Sequence, residues 1–190
     1  MGSNFNNALI ELVGSLANLY LACIILRIVL GWVRADFYNP VSQLAWKITQ
    51  PVVGPIAHII PRWRRLDLAA VTALVILTGA YLSLMLWMYD QPQGLLMVMI
   101  NLPLKILVLT ANLYAVVLTF YAILSWFGPG LNNPASNILW SLSEPILRPI
   151  RRLIPPIAGI DLSPLFGIII SIVIVRLAGL SILFRAGILG

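Results

Sequence analysis

The chain has 190 residues, 61% of them hydrophobic and 9% charged, with a mean hydropathy of +0.98. Soluble domains are about 45–50% apolar and about a quarter charged, so this chain cannot clothe a water-facing surface. That excludes a soluble single-core domain and a disordered chain, and leaves a membrane protein. Twelve Lys and Arg against six Asp and Glu give a net charge of +6. In so apolar a chain the excess reads as the positive-inside bias of a membrane protein, not as nucleic-acid binding. The single cysteine, Cys23, allows no internal disulfide and reads as a small buried hydrophobe.

In chain order, residues 1–7 carry no Lys or Arg, and the apolar run Ala8–Val33 is too long for a cleavable signal. It is expected to remain as the first of four membrane-spanning helices. The others are Ala69–Tyr89, Leu102–Phe127 and Pro164–Phe184, each near the 20 or so residues a crossing needs. Leu95–Ile100 either extends the third span or lies in the outer interface.

A shift of 94 residues superposes the chain on itself without a gap, with 16 identities between positions 18–68 and 112–162 where chance gives about three. Asn18-Leu19-Tyr20 falls on Asn112-Leu113-Tyr114, Trp32 on Trp126, Asn39-Pro40 on Asn133-Pro134, and Asp67-Leu68 on Asp161-Leu162. Two repeats, residues 1–94 and 95–190, therefore each read span, Asn-Pro loop, Pro-punctuated amphipathic segment, Asp-Leu, span. Two spans return the chain to its starting side, so the tandem repeats are parallel, unlike the inverted repeats of many transporters. The predicted fold is an all-α membrane protein of four transmembrane helices, each repeat carrying a Pro-kinked amphipathic cytoplasmic segment.

Charge sets the expected topology. Arg34, Lys47, Arg62, Arg64 and Arg65 follow span one, and Arg148, Arg151 and Arg152 follow span three, against Arg185 alone on the other side. Both long loops are then cytoplasmic and both termini outside, with Trp32 and Trp126 at the inner interface and Trp87 at the outer.

Asn39-Pro40 and Asn133-Pro134 have the pattern of an N-cap with Pro at the first helical position. The helices they open are expected to stop or kink at Pro51 and Pro145, each followed by a second short helix. In repeat two Arg148, Arg151 and Arg152 share a helical face, suited to anionic lipid headgroups. Repeat one has Gly54, Ala57 and His58 there, a small face suited to packing on protein. His58, alone and without Cys or carboxylate spacing, is a weak metal signal. Asp67 and Asp161 each open a span, either as helix caps or as partners of nearby arginines.

Charges within spans are expensive and must pair, face a cavity or snorkel. Glu11 and Lys105 occupy equivalent repeat positions and either pair across the pseudo-axis or snorkel separately. Arg176 lies about nine residues, or ~13 Å, from the outer end of span four and reads as a buried charge. Arg27 lies within two turns of the inner end of span one and is expected to snorkel inward toward Asp36 or a loop carboxylate.

No HExxH, P-loop, GxSxG or CxxC pattern occurs, so no enzyme, metal or cofactor is expected. Trp126, Asn133-Pro134, the run Glu144-Pro145-Ile146-Leu147-Arg148-Pro149-Ile150-Arg151-Arg152-Leu153-Ile154-Pro155 and then Asp161-Leu162-Ser163-Pro164 resemble the signature of the YggT family. The likeness covers almost the whole chain as two copies, of which repeat one departs at Gln50, Gly54, Ala57, His58 and Ala69-Ala70. The resemblance implies a small bacterial inner-membrane protein, with family members linked to osmotic or salt tolerance and ion homeostasis. Plastid and cyanobacterial relatives are linked to cytochrome b complex assembly and to division, nucleoid and thylakoid organisation. Two functions follow as expectations. One is a scaffold or assembly factor that docks anionic lipid and a membrane-protein partner or second copy through Arg148, Arg151, Arg152, Arg62, Arg64 and Arg65. The other is an oligomeric channel or regulator of ion uptake.

Overall fold

The computed structural model describes residues 2–61, 63, 65–89, 94–126, 133–154 and 161–178. Side chains of 2–5 and of Trp126 are outside that description, as are Arg62, Arg64 and Pro155 altogether. Among the described residues there are six helices: α1 Gly2–Val33, α2 Pro40–Ala57, α3 Leu68–Met88, α4 Leu95–Trp126, α5 Pro134–Leu153 and α6 Ser163–Ala178. Three, α1, α3 and α4, are long and apolar enough to cross a membrane, and α6 is apolar over its 16 described residues. Leu95–Ile100 continues α4.

The outward faces of the long helices are apolar, as a lipid-facing surface must be. Leu12, Leu16 and Leu19 are exposed on α1, Val116 and Phe120 on α4, and Ile169, Ile172 and Val173 on α6. Inside, α1 and α3 pack around Leu21, Ile24, Ala70, Ala73 and Leu82, with α2 laid across them through Val53. The pair α4 and α6 is packed closely at Gly167, where an added Cβ would meet Leu118 Cδ1 at 2.6 Å.

The prolines do not divide the amphipathic segments. Pro51 and Pro55 lie within α2, and Pro145 and Pro149 within α5, so each segment is one helix and not two short ones. Each Pro removes one main-chain donor. Their four-residue spacing puts both losses on one face, and packing of the other face on the bundle carries the helix through. Both helices start as their Asn-Pro pairs predict. Asn39 Oδ1 accepts from Val41 N at 3.0 Å. Asn133 forms a reciprocal capping box with Ser136.

The two starts also meet. The Asn39 side-chain amide donates to the Pro134 carbonyl, joining the first turns of α2 and α5 across the repeat junction.

Candidate functional site

Several of the predicted site residues gather at the end of the bundle where α1 finishes and α3 begins. Asp67 caps α3 by accepting from Ala70 N at 3.2 Å, so its carboxylate is held at the foot of that helix. Arg27, one and a half turns from the end of α1, is buried and reaches it: Nε and Nη2 both lie 3.2 Å from Asp67 Oδ2. Arg27 Nη1 donates to Thr49 Oγ1 and Gln50 Oε1 of α2, both at 3.1 Å, and its guanidinium lies 5.7 Å from the Trp46 ring centroid. One arginine thus ties α1, α2 and α3 together. Of the two expected partners, Asp36 accepts from Tyr38 N, and a loop carboxylate, Asp67, takes the arginine.

Repeat two builds the same node from the other side. The equivalent of Arg27 is Tyr121, and the guanidinium comes from Arg151 of α5, where repeat one has Ala57. Arg151 Nε donates to Asp161 Oδ2, Nη1 to Glu144 Oε2 and Nη2 to the Tyr121 hydroxyl, each at 2.8 Å. Glu144 and Asp161 are the repeat equivalents of Gln50 and Asp67. Burial works against the charged form of Asp161, but hydrogen bonds from Ser163 and Arg151 hold its carboxyl below the ordinary 3.8. Burial likewise opposes the Arg151 charge, and the bond to Asp161 with the neighbouring carboxylates outweighs it, raising its pKa.

This corrects the expectation of a three-arginine lipid face. Arg151 is turned into the bundle, Arg148 is exposed and pairs with Glu144 at 3.2 Å, and Arg152 is exposed. The small face of repeat one also divides. Gly54 is buried, with Gln50 Nε2 3.1 Å from where a Cβ would lie, while Ala57 and His58 are exposed. His58 caps α2, its Nδ1 donating to the Gly54 carbonyl at 2.8 Å. Asp67 and Asp161 perform both roles that were open to them, cap and arginine partner.

Of the other motif residues, Asn133 and Ser136 form the cap, Pro134 accepts from Asn39, Pro145 is half-buried and Pro149 exposed. Ser163 donates its N–H to Asp161 Oδ1 at 2.9 Å, and Pro164 is buried in the first turn of α6. Trp126 ends α4.

Glu11 and Lys105 do not form an ion pair among the described residues. Glu11 is exposed, beside a cavity of about 230 Å³ that Asn18, Tyr81 and Tyr89 also line. Lys105 is fully buried, its Nζ 4.7 Å from the Tyr81 ring centroid. Equivalent sequence positions give similar depth but not facing directions. Arg176, expected to be buried, is exposed on α6, on the same outward face as Ile169, Ile172 and Val173.

Sequence reasoning passed over Arg34 as a site residue. It ends α1 with φ of 56°, the left-handed C′ position that glycine usually takes. Ala35 N donates to Leu30 O and Arg34 N to Gly31 O, the double closure of a Schellman cap. The signal was in the repeat: the equivalent residue is Gly128.

Long apolar helices, an internal repeat and a pair of arginine–aspartate nodes at one end define a helical membrane protein of duplicated architecture. The chain belongs to the CCB3/YggT family, which it matches over residues 6–88 and again over residues 100–183. It is 36% identical over 175 residues to YggT of Escherichia coli K12, covering 88% of this chain and 87% of that one. An uncharacterized protein of Pseudomonas aeruginosa is 35% identical over 163 residues, 85% of this chain and 83% of the relative. A Vibrio alginolyticus protein from the proC 3′ region is 41% identical over 161 residues, covering 84% and 86%. No solved structure matches the chain at a significant level.

Proposed function

We propose that this protein is a non-enzymatic scaffold or assembly factor of the bacterial inner membrane. In this reading four helices cross the bilayer with both termini outside, and α2 and α5 lie at the cytoplasmic interface. The observation that carries it is the build of α2 and α5. Each is clamped to the spans by an arginine–aspartate node, buried in repeat one and half-buried in repeat two, while presenting exposed apolar and basic groups outward. Val41, Leu44 and Ile48 are exposed on α2, and Trp140, Leu153, Arg148 and Arg152 on α5. A rigidly held amphipathic surface suits docking of anionic lipid and of a membrane-protein partner or second copy.

The test replaces Arg148 and Arg152 by Gln and leaves Arg151 in place, since Arg151 holds the fold. Recovery of a membrane-protein partner in gentle detergent and enrichment of anionic lipid around the protein should both fall. Unchanged recovery and unchanged enrichment refute the reading.

The fully buried Lys105, beside Tyr81, favours a second reading, an oligomeric channel or regulator of ion uptake. Ion flux in reconstituted vesicles that Lys105→Met alters would support it, and flux no greater than that of empty vesicles would remove it.

A further inference from the structure

We propose that the cleft lined by Arg34, Arg65 and Ser42, where α1 meets α2 and α5, is a built binding site for a phosphate group. Two cavities lie side by side there, of about 300 Å³ and about 520 Å³, and both are lined by Arg34 and Arg65. Four arginines and two carboxylates line them. Arg27 is engaged by Asp67 and Arg148 by Glu144, which leaves the positive excess on Arg34 and Arg65. Among the described residues neither of these two has an ion-pair partner. Two arginines lining one cavity can recognise a phosphate through the paired N–H donors of their guanidinium groups.

A third polar residue borders the smaller cavity. Ser42 is buried there, and among the described residues its Oγ has no hydrogen-bond partner. Such an orphan is costly unless a ligand completes it. Its repeat counterpart Ser136 spends the same hydroxyl on the capping box with Asn133. In repeat one Asn39 bonds Val41 N and Pro134 O, and the Ser42 hydroxyl is left over.

Both arginines are held where the backbone presents them. Reciprocal Trp63–Leu66 hydrogen bonds close the turn that carries Arg65, and the Arg65 carbonyl lies against Gly31 near the end of α1. Arg34 occupies its left-handed position at a conformational cost of about 1–2 kcal/mol that glycine avoids. Repeat two has Gly128 and Gly159 at these two positions, so it keeps the serine and loses both charges. The site therefore belongs to repeat one. Exposed Trp32 and Trp140 line the wider cavity, as aromatic side chains do at headgroup level. A phosphate there comes either from an anionic phospholipid or from a soluble phosphate ester. The lipid source rests on the membrane orientation proposed above, and the phosphate site does not.

The experiment uses the full chain in mild detergent. Native mass spectrometry reads adducts with phosphatidylglycerol, with phosphatidylcholine as the neutral comparison, and thermal unfolding is followed against inorganic phosphate. Wild type should retain phosphatidylglycerol over phosphatidylcholine, and Arg34→Gly, Arg65→Gly and Ser42→Ala should each weaken retention about tenfold, one charge-assisted hydrogen bond. Arg34→Gly should at the same time unfold no more readily than wild type, because it installs the residue the backbone prefers. Lys47→Gln, exposed on α2 outside both cavities, should bind as wild type. Stabilisation by inorganic phosphate without a phosphatidylglycerol adduct, lost in the same three variants, assigns the site to a soluble ester. The proposal is overturned by the absence of both effects in wild type, by wild-type binding in the three variants, or by an equal loss in Lys47→Gln. A lipid adduct that persists while partner recovery is unaffected by the Arg148 and Arg152 changes would sink the scaffold reading alone.

Discussion

Replacing Arg27 by Leu should cost more stability than any other single change at this end of the bundle. The substitution leaves a shorter apolar side chain and removes every guanidinium hydrogen bond from the groups around it. Asp67, buried at the foot of α3, loses the two guanidinium nitrogens of Arg27 at 3.2 Å. Gln50 Oε1 loses its donor at 3.1 Å. Thr49 loses an accepted bond but still donates to Ala45 O at 2.7 Å, so its loss is partial. Breaking a buried pair by removing one partner costs about 3–5 kcal/mol. The Gln50 acceptor adds a contribution on the order of 1 kcal/mol. Unfolding of purified protein in mixed micelles, followed by helical signal, measures the difference. Repeat two supplies the rescue: Tyr at 27 with Arg at 57 rebuilds the node as Tyr121 and Arg151 do. The double change Arg27→Tyr with Ala57→Arg should recover at least about half of the loss, a non-additivity typical of coupled neighbours. Should Arg27→Leu unfold within about 0.5 kcal/mol of wild type, the node carries no stability. A double variant no better than Arg27→Tyr alone would show that the two repeats do not share one design.

Asn39→Ala removes both the α2 cap and the bond to Pro134, so it should cost about 2 kcal/mol. Asn133→Ala, which loses only a cap, should cost about 1 kcal/mol in the same unfolding assay. Asp161 has its native carboxyl pKa held below the ordinary 3.8, so its pairing stabilises fully above that value and is lost as pH falls through the lower native one. Acid unfolding should therefore steepen below about pH 4 in wild type, and Asp161→Asn should flatten that limb. Gly167→Ala places a methyl group against the fully buried Leu118 and should destabilise the α4–α6 pair by about 1–3 kcal/mol in the same unfolding assay. Exchanging the charges, Glu11→Lys with Lys105→Glu, should be no more stable than the worse single change, since the two groups do not meet.

The chain alone settled what short-range chemistry and composition control. Scarcity of charge required a bilayer, the length of the apolar runs required helices, and the 94-residue shift required a duplicated fold. The caps at Asn39, Asn133, Asp67 and Asp161 were legible for the same reason, because a cap is written within four residues of the chain. The continuity of α2 and α5 was less legible. Local rules stop a helix at proline, and only burial of the opposite face lets it run on.

Which arginine serves which aspartate was decided by tertiary structure. Arg27 reaches Asp67 across 40 residues, while Arg151 reaches Asp161 across ten, and both satisfy the same repeat position from different helices. Sequence spacing places a side chain on a helix but not the rotation of that helix against its neighbours. That rotation buried Lys105, exposed Arg176 and Glu11, and separated Arg151 from the exposed Arg148 and Arg152. It also brought Arg34 and Arg65 to one cleft. The few charges that composition allowed could be counted from the chain. Their partners depended on packing, because in a low-dielectric bundle each charge goes to whichever counter-charge the helices bring within about 4 Å.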